Sequence, residues 1–219
     1  MWCIGKITAQ YRKRMYDLIR LYHKPYDPKR PVICMDEKSK QLLADTRPTL
    51  ALKPGNPLKI DHEYKRKGTR NIFVAVEPKG GRRLTEVTTR RTKQDFARFM
   101  EKLLRAYPKA KILIIVLDNL NTHFPASFYE TFNVKKAKQL LKKIEFHYTP
   151  KHASWLNMAE IEIGIFDAQC LGGRRIDCEA KLIQEVKALT KYRNHHKKQI
   201  HWTFTKRKAD AKLSKHYVS

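Results

Sequence analysis

A single α/β sandwich, a sheet flanked by helices, is the fold class this sequence predicts. Three observations point there. The run Lys111–Leu117 (KILIIVL) is apolar at both parities, as a central strand covered on both faces must be. Just before it, Phe96, Phe99, Met100, Leu103 and Leu104 form one stripe at helical spacing. Around these two segments the chain alternates strand and helix, with no internal repeat and no low-complexity stretch.

In chain order, residues 8–23 set Tyr11, Met15, Leu18, Ile19 and Tyr22 at helical spacing, with Arg12, Lys13, Arg14 and Arg20 between them. That is an amphipathic helix with a basic outer face. Lys24–Pro31 holds three prolines and reads as a stiff connector. Pro31–Met35 is a short buried strand that ends in Asp36 and Glu37. Asn71–Glu77 and Arg83–Thr89 flank Pro78-Lys79-Gly80-Gly81 as the arms of a hairpin. Thr92 opens a helix, with Asp95 completing a capping box. A helix follows the central strand near Val134–Lys143, then a strand at Ile144–Tyr148. Pro150 stops that strand, and a further helix is expected from near Ser154 through Phe166. Asp177–Tyr192 is a last amphipathic helix with Leu182, Ile183, Val186 and Leu189 inward.

Charge narrows the function. The 219 residues carry 47 Lys and Arg against 21 Asp and Glu, so 47 − 21 leaves +26 at neutral pH. A hydrophobic content of 42% with 10% aromatics excludes a disordered basic tail. No apolar run approaches the roughly 18 residues of a membrane span, and the N-terminus shows no secretory signal core. A folded basic chain of this kind fits a polyanion, most often nucleic acid, although structural RNA binders share the profile. Between Lys191 and Ser219, nine Lys and Arg stand against one acid, Asp210, interleaved with Tyr192, Trp202, Phe204 and Tyr217. Such a segment suits phosphate contact, and equally a solvated basic face. Cys3, Cys34, Cys170 and Cys178 form no C-x-x-C pair, so neither a zinc site nor a disulfide framework is expected.

In so basic a chain, acids that interrupt apolar runs stand out. Asp36 ends the first strand and Asp118 the central one. In open α/β sheets ligands bind beyond the carboxyl ends of the strands. Two carboxylates there, with Glu160 from the following helix, make a hard-oxygen cluster suited to Mg²⁺ or Mn²⁺. Three such groups can hold two ions about 4 Å apart for in-line phosphoryl transfer. Strand-end acids also simply cap loops.

The wording of these segments goes further. Met35-Asp36-Glu37-Lys38-Ser39, Asp118-Asn119-Leu120-Asn121-Thr122-His123 and the run Tyr148–Glu160 (YTPKHASWLNMAE) resemble the three acid-bearing blocks of bacterial insertion-sequence transposases of the mariner-related superfamily. The likeness extends over Trp2-Cys3-Ile4, Arg90-Arg91-Thr92, Gln169-Cys170-Leu171, Arg174-Arg175-Ile176, Arg193-Asn194 and Trp202-Thr203-Phe204-Thr205. It implies a ribonuclease H-like mixed sheet flanked by helices. On this reading residues 1–30 are a basic helix and linker, 31–192 the DDE catalytic domain, and 193–219 a basic C-terminal segment.

The resemblance also implies the chemistry. Asp36, Asp118 and Glu160 become the catalytic and metal-holding triad for two Mg²⁺ or Mn²⁺ ions. Asn119, His123, Lys151, His152 and Trp155 become substrate-binding or supporting residues. The partners implied are double-stranded DNA, as transposon ends and target, and further copies of the chain in a homo-oligomer, in a bacterial cytoplasm with no membrane. A DNA-binding remnant that no longer cleaves, and a nuclease without strand transfer, are the alternatives. Glu37 and Glu162 are expected on the surface or behind the triad. Asn157 is expected to fix the start of a helix rather than touch substrate. Two departures carry expectations of their own. Family members place a helix-turn-helix region before the Trp2-Cys3-Ile4 block, where this chain begins, as a fragment or decaying element would. Ala153 replaces a family glycine, so a left-handed backbone there is expected to strain the loop, and Ala153→Gly to raise cleavage.

Overall fold

The computed structural model describes residues 5–48, 50–57, 59 and 61–218; Trp2-Cys3-Ile4 lies outside them. The chain enters through α1 (Ala9–His23), whose first turn is closed by the Thr8 hydroxyl accepting from the Tyr11 amide at 3.2 Å. Three strands follow as an antiparallel meander, β1 (Val32–Asp45), β2 (Tyr64–Glu77) and β3 (Arg82–Thr88). α2 (Lys93–Ala106) then leads to β4 (Leu113–Leu117), which pairs parallel to β1. Short helices α3 (Ala126–Thr131) and α4 (Val134–Leu141) lead to β5 (Ile144–Tyr148), parallel to β4. The sheet order is β3-β2-β1-β4-β5. After it come α5 (Ala159–Phe166), α6 (Glu179–His195) and α7 (Lys206–Leu213).

The expected sandwich is present. On one face Ile33, Met35, Phe73, Ile115 and Leu117 meet Phe96, Phe99, Met100 and Leu103 of α2, with Phe128 of α3. The capping box of α2 forms as the sequence reads, Thr92 and Asp95 satisfying each other's end of the helix. On the other face Cys34, Ile114 and Val116 lie under Met15, Leu18 and Ile19 of α1, with Ala209 and Leu213 of α7. Farther along that face Ile72 and Val74 support Ile163 and Phe166 of α5 and Leu182 and Val186 of α6. The basic C-terminal segment therefore shares the core of α1, and its Trp202, Phe204 and Tyr217 pack there.

Four elements differ from expectation. β1 does not end at Asp36; it continues to Asp45 because its polar half pairs with the polar half of β2, with a bulge between Gln41 and Leu43. A ladder propagates through backbone hydrogen bonds, so a polar strand extension leaves little hydrophobic signal. The helix expected from Ser154 is split. Ser154–Leu156 is one 3₁₀ turn, Asn157 is extended, and α5 begins at Ala159. Finally, α3 and α7 have no counterpart in the hydrophobic pattern, being only six and eight residues long. No helix among the described residues is long and apolar enough to cross a membrane.

Candidate active site

The ladder between β1 and β4 brings the first two acids together. Val32, Ile33 and Cys34 pair with Ile114, Ile115 and Val116, a constant offset of 82 residues. Continued two positions, that offset sets Asp36 beside Asp118. Side chains alternate along a strand, so Asp36 shares the face of Cys34, under α1 and α5, while Glu37 shares that of Ile33 and Met35. Asp36 thus lies in mid-strand, where β1 outruns the end of β4.

Asn157 fixes Asp36 to the third element. Its side-chain amide donates to the Met35 carbonyl at 2.9 Å and to Asp36 Oδ2 at 3.3 Å. Its carbonyl oxygen accepts from the Ala159 amide at 3.2 Å, at the start of α5. One buried side chain therefore joins the acid-bearing strand to the helix whose first turn carries Glu160. The Asp36 carboxyl is pushed up to about 7, first by burial and then by the negative charges of Asp118, Glu160 and Glu37; the Glu37 amide, donating to Oδ1 at 2.8 Å, works against the rise.

Asp118 is held from behind. Its Oδ1 accepts from the Leu120 amide at 3.2 Å and from His123 Nδ1 at 2.7 Å. The other ring nitrogen of His123 lies 2.7 Å from Glu37 Oε1. His123 is fully buried against the Phe96 ring, 4.8 Å between centroids. Burial, the largest single influence, acts to lower the imidazole. Hydrogen bonds to Asp118 and Glu37 outweigh it and hold His123 up at about 9.

The remaining sequence candidates fall in different places. Asn119 donates to the Thr149 carbonyl and accepts from Arg14 at 3.0 Å, tying α1 to the loop after β5. Lys151 and His152 are exposed, and Trp155 is 43% exposed with its ring edge-on to Phe204. An open cleft beside Asp118 is lined by Arg91, Asn119, Leu120, Asn121 and Thr122.

Two expectations are corrected. Ala153 has φ −128° and is fully buried, so its backbone is relaxed and the strain argument falls. The left-handed residue is its neighbour His152, at φ 58°. Neither Glu37 nor Glu162 is on the surface, although Glu37 does stand behind Asp118, through His123, as the other arm of the expectation has it. Glu162 is fully buried and paired with Arg83 and Arg193, both donating to its carboxylate. The alternation of β1 was signal enough for Glu37: an acid at an inward position needs a buried partner, and His123 is the one within reach. Glu162 gave no such signal, because its partners come from β3 and α6, far away in the sequence.

Half-buried Asp36 and Asp118, with exposed Glu160 on the first turn of α5, offer carboxylate oxygens of like charge, a donor set whose chemistry fits a hard divalent cation. Among the described residues no three His, Cys, Asp or Glu side chains already close into a metal-holding group.

A mixed sheet in this order, with acids along its two central strands, defines a ribonuclease H-like domain. The chain belongs to the DDE superfamily endonucleases, whose profile matches residues 31–183. Among solved structures it is similar to the Mos1 mariner paired-end complex with Mn, at 16% identity and a TM-score of 0.57, over 90% of this chain and 62% of that one. The Mos1 strand transfer complex matches at 15% identity and 0.57, over 90% and 61%. The mariner Mos1 paired-end complex with Mg matches at 15% and 0.56, over 99% and 63%. At these identities the likeness is one of fold, and this chain spans less than two thirds of those proteins. No curated protein sequence matches it.

Proposed function

We propose that this chain is the catalytic domain of a DNA transposase, with Asp36, Asp118 and Glu160 as its catalytic and metal-holding residues. The observation that carries the reading is the β1–β4 register, which sets Asp36 beside Asp118, with Glu160 near enough to raise the Asp36 carboxyl. Membership of an endonuclease family and a surplus of +26 charges support DNA as the substrate. Mg²⁺ or Mn²⁺ ions, two by the chemistry of in-line displacement, would supply Lewis acidity to the reacting phosphate and lower the pKa of the attacking hydroxyl.

The protein's part is to orient. His123 fixes one oxygen of Asp118, Asn157 fixes one of Asp36, and α5 presents Glu160 from its first turn. In the proposed reaction, water cleaves a phosphodiester at the transposon end and leaves a 3′-hydroxyl. That hydroxyl then attacks a target phosphodiester, forming one P–O bond as another breaks. Lys151, His152 and Trp155, exposed in the segment that precedes α5, would contact the DNA. Two such strand transfers join a pair of ends, which calls for more than one copy of the chain.

The test is cleavage of supercoiled plasmid with Mg²⁺ by the parent chain and by Asp118→Asn. Nicking lost in the variant, with duplex binding retained, is the expected result. Nicking near the parent rate removes Asp118 from the chemistry and the reading with it.

A further inference from the structure

Of the side chains in the block Arg90-Arg91-Thr92, only that of Thr92 has a polar partner among the described residues. Its hydroxyl accepts from the Asp95 amide at 3.2 Å and donates to the Asp95 carboxylate at 2.8 Å, which fixes where α2 begins. Arg91, one residue earlier, is therefore carried by a closed cap rather than by a loose loop. The two ends of α2 fall at opposite ends of the sheet. Past its last turn the Tyr107 hydroxyl donates to Glu77, where β2 ends. In its first turns Phe96 packs against His123, 4.8 Å between centroids, and His123 holds Asp118 at 2.7 Å. Arg91 thus enters at the Asp118 end.

There it lines the open cleft of about 300 Å³ beside Asp118, together with the turn 119–122. That turn is tied at several points. The Leu120 amide donates to Asp118 Oδ1 at 3.2 Å, the His123 amide to the Leu120 carbonyl at 2.9 Å, and the Ser127 hydroxyl to the Thr122 carbonyl at 2.7 Å. Asn121 and Thr122 add polar groups to the lining. Arg91 is exposed and forms no ion pair among the described residues, although its near neighbour Lys93 is paired with Glu130 at 2.6 Å. Among the same residues, none of Asp36, Asp118 and Glu160 is paired with a Lys or Arg; Asp118 has only His123. An arginine set beside a group of acids and bound to none of them is free for an anion that arrives from outside.

We propose that Arg91 grips the DNA phosphate next to the one that is cut, on the Asp118 side of the centre. The proposal rests on the reading of Asp36, Asp118 and Glu160 as the cutting site. The scissile phosphate must lie against those acids and the cations they hold. Its neighbour in the strand brings a further negative charge to the same acidic region and needs a cation of its own. A guanidinium suits it: the planar fork gives one phosphate two parallel N–H donors, which fixes the direction of the strand as well as its position. Arg91 then sets which bond of the strand comes to lie over the acids. A lysine would supply the charge without the fork.

Two measurements on the whole chain test this. In the first, duplex affinity is followed against salt, with Ca²⁺ in place of Mg²⁺ to load the acids while slowing the cut. Arg91→Ala should lower the slope by about 0.9, one phosphate contact, whereas Arg91→Lys keeps the charge and the slope of the parent. In the second, nicking of supercoiled plasmid with Mg²⁺ is read at saturating protein, as a rate per bound complex. Arg91→Ala should be about 10–100-fold slower, and Arg91→Lys should recover only part of the loss, because the fork is missing. Both variants should melt as the parent does, since the side chain supports nothing inside the fold. An unchanged salt slope in Arg91→Ala overturns the proposal. So does a lower slope with a parent-like rate, which would place the contact away from the cut. A parent chain that does not nick refutes the function proposed above, and the salt slope then decides by itself whether Arg91 holds a phosphate.

Discussion

Glu37 and Asp118 hold opposite nitrogens of the His123 ring, each at 2.7 Å. A neutral imidazole donates from one nitrogen only, so two short contacts to carboxylates require a proton on both. His123 is therefore a buried cation clamped between two anions, one of them a proposed metal ligand. Among the described residues, Glu37 Oε2 remains buried without a partner. The pair thus restrains Asp118 from a strand it does not belong to.

Stability should fall as pH rises. His123 sits at about 9 in the fold against about 6.5 when unfolded, so the folded chain binds its proton more tightly. That contribution, on the order of 3 kcal/mol, is fully present below pH about 6.5 and is lost as pH rises through about 9. Asp36, raised to about 7, acts in the same direction between pH about 4 and 7, because its ionised form is the disfavoured one in the fold. Melting temperatures without divalent cations should decline from pH 5 to 9, and Mg²⁺ should flatten the lower part by stabilising ionised Asp36. A melting temperature that climbs over this range would contradict both assignments.

Glu37→Gln keeps an oxygen for His123 but removes the charge that helps keep the ring protonated. Loss of a group that orients a metal ligand typically costs about 10–100-fold in metal affinity or activity. Both Mn²⁺ affinity and Mg²⁺-dependent nicking should drop by that order, and the decline in stability towards pH 9 should shrink. Parent-like metal affinity would reduce Glu37 to a packing residue.

How much of this was legible in the sequence depended on where each signal lay. The strand Ile144–Tyr148, the capped helix after Thr92 and the apolar run into Asp118 carry their information within a few residues, and each forms where the pattern puts it. The polar half of β1 and the helix α7 are held by backbone pairing and by packing on distant parts of the chain, which no local periodicity reports. The site divides the same way. Of the proposed triad, Asp36 and Asp118 stand out where they interrupt apolar runs, whereas only the family resemblance separates Glu160 from Glu162. Asn157 shows its second role only once β1 lies beside it, where its amide reaches both the Met35 carbonyl and Asp36.

Glu162 should matter to folding more than to chemistry. It lies two residues beyond Glu160 and neutralises one of the two guanidiniums, Arg83 and Arg193, packed around it. Glu162→Gln leaves both cations without a buried anion, at a cost of about 3–5 kcal/mol. A melting temperature many degrees lower is expected, with α5 and its Glu160 displaced and nicking reduced. A melting temperature within a degree of the parent would mean that water reaches the cluster and relieves it.

Ala153 now yields the reverse of the sequence-based expectation. With φ −128° and a fully buried methyl group, Ala153→Gly gains no conformational relief. It gives up the methyl contact and adds freedom to the unfolded chain, together about 1–2 kcal/mol of lost stability. His152→Gly, at φ 58° on an exposed residue, releases left-handed strain of about 1–2 kcal/mol against a similar entropic cost. Thermal unfolding should rank Ala153→Gly clearly below His152→Gly, with cleavage no faster than the parent in the Ala153 variant. The opposite order would restore the strained-loop explanation.

The basic surface makes the last prediction. α1 and α7 lie side by side: Asp210 of α7 accepts from the Tyr16 hydroxyl of α1, and Lys206 stands over the Tyr16 ring at 4.7 Å. Lys13 on one helix and Arg207 on the other are exposed, neither in an ion pair with an acid among the described residues. A cation that neutralises a phosphate on binding releases a counterion, so the logarithm of affinity falls with the logarithm of salt by about 0.9 per contact. Six to ten contacts would lower duplex affinity by about 10³–10⁵ between 50 and 200 mM salt. Lys13→Ala with Arg207→Ala should reduce the slope by nearly two contacts and weaken all sequences alike, since phosphates carry no base identity. An unchanged slope would place the DNA on another face of the molecule. A shift confined to one sequence would mean that these side chains reach base edges instead.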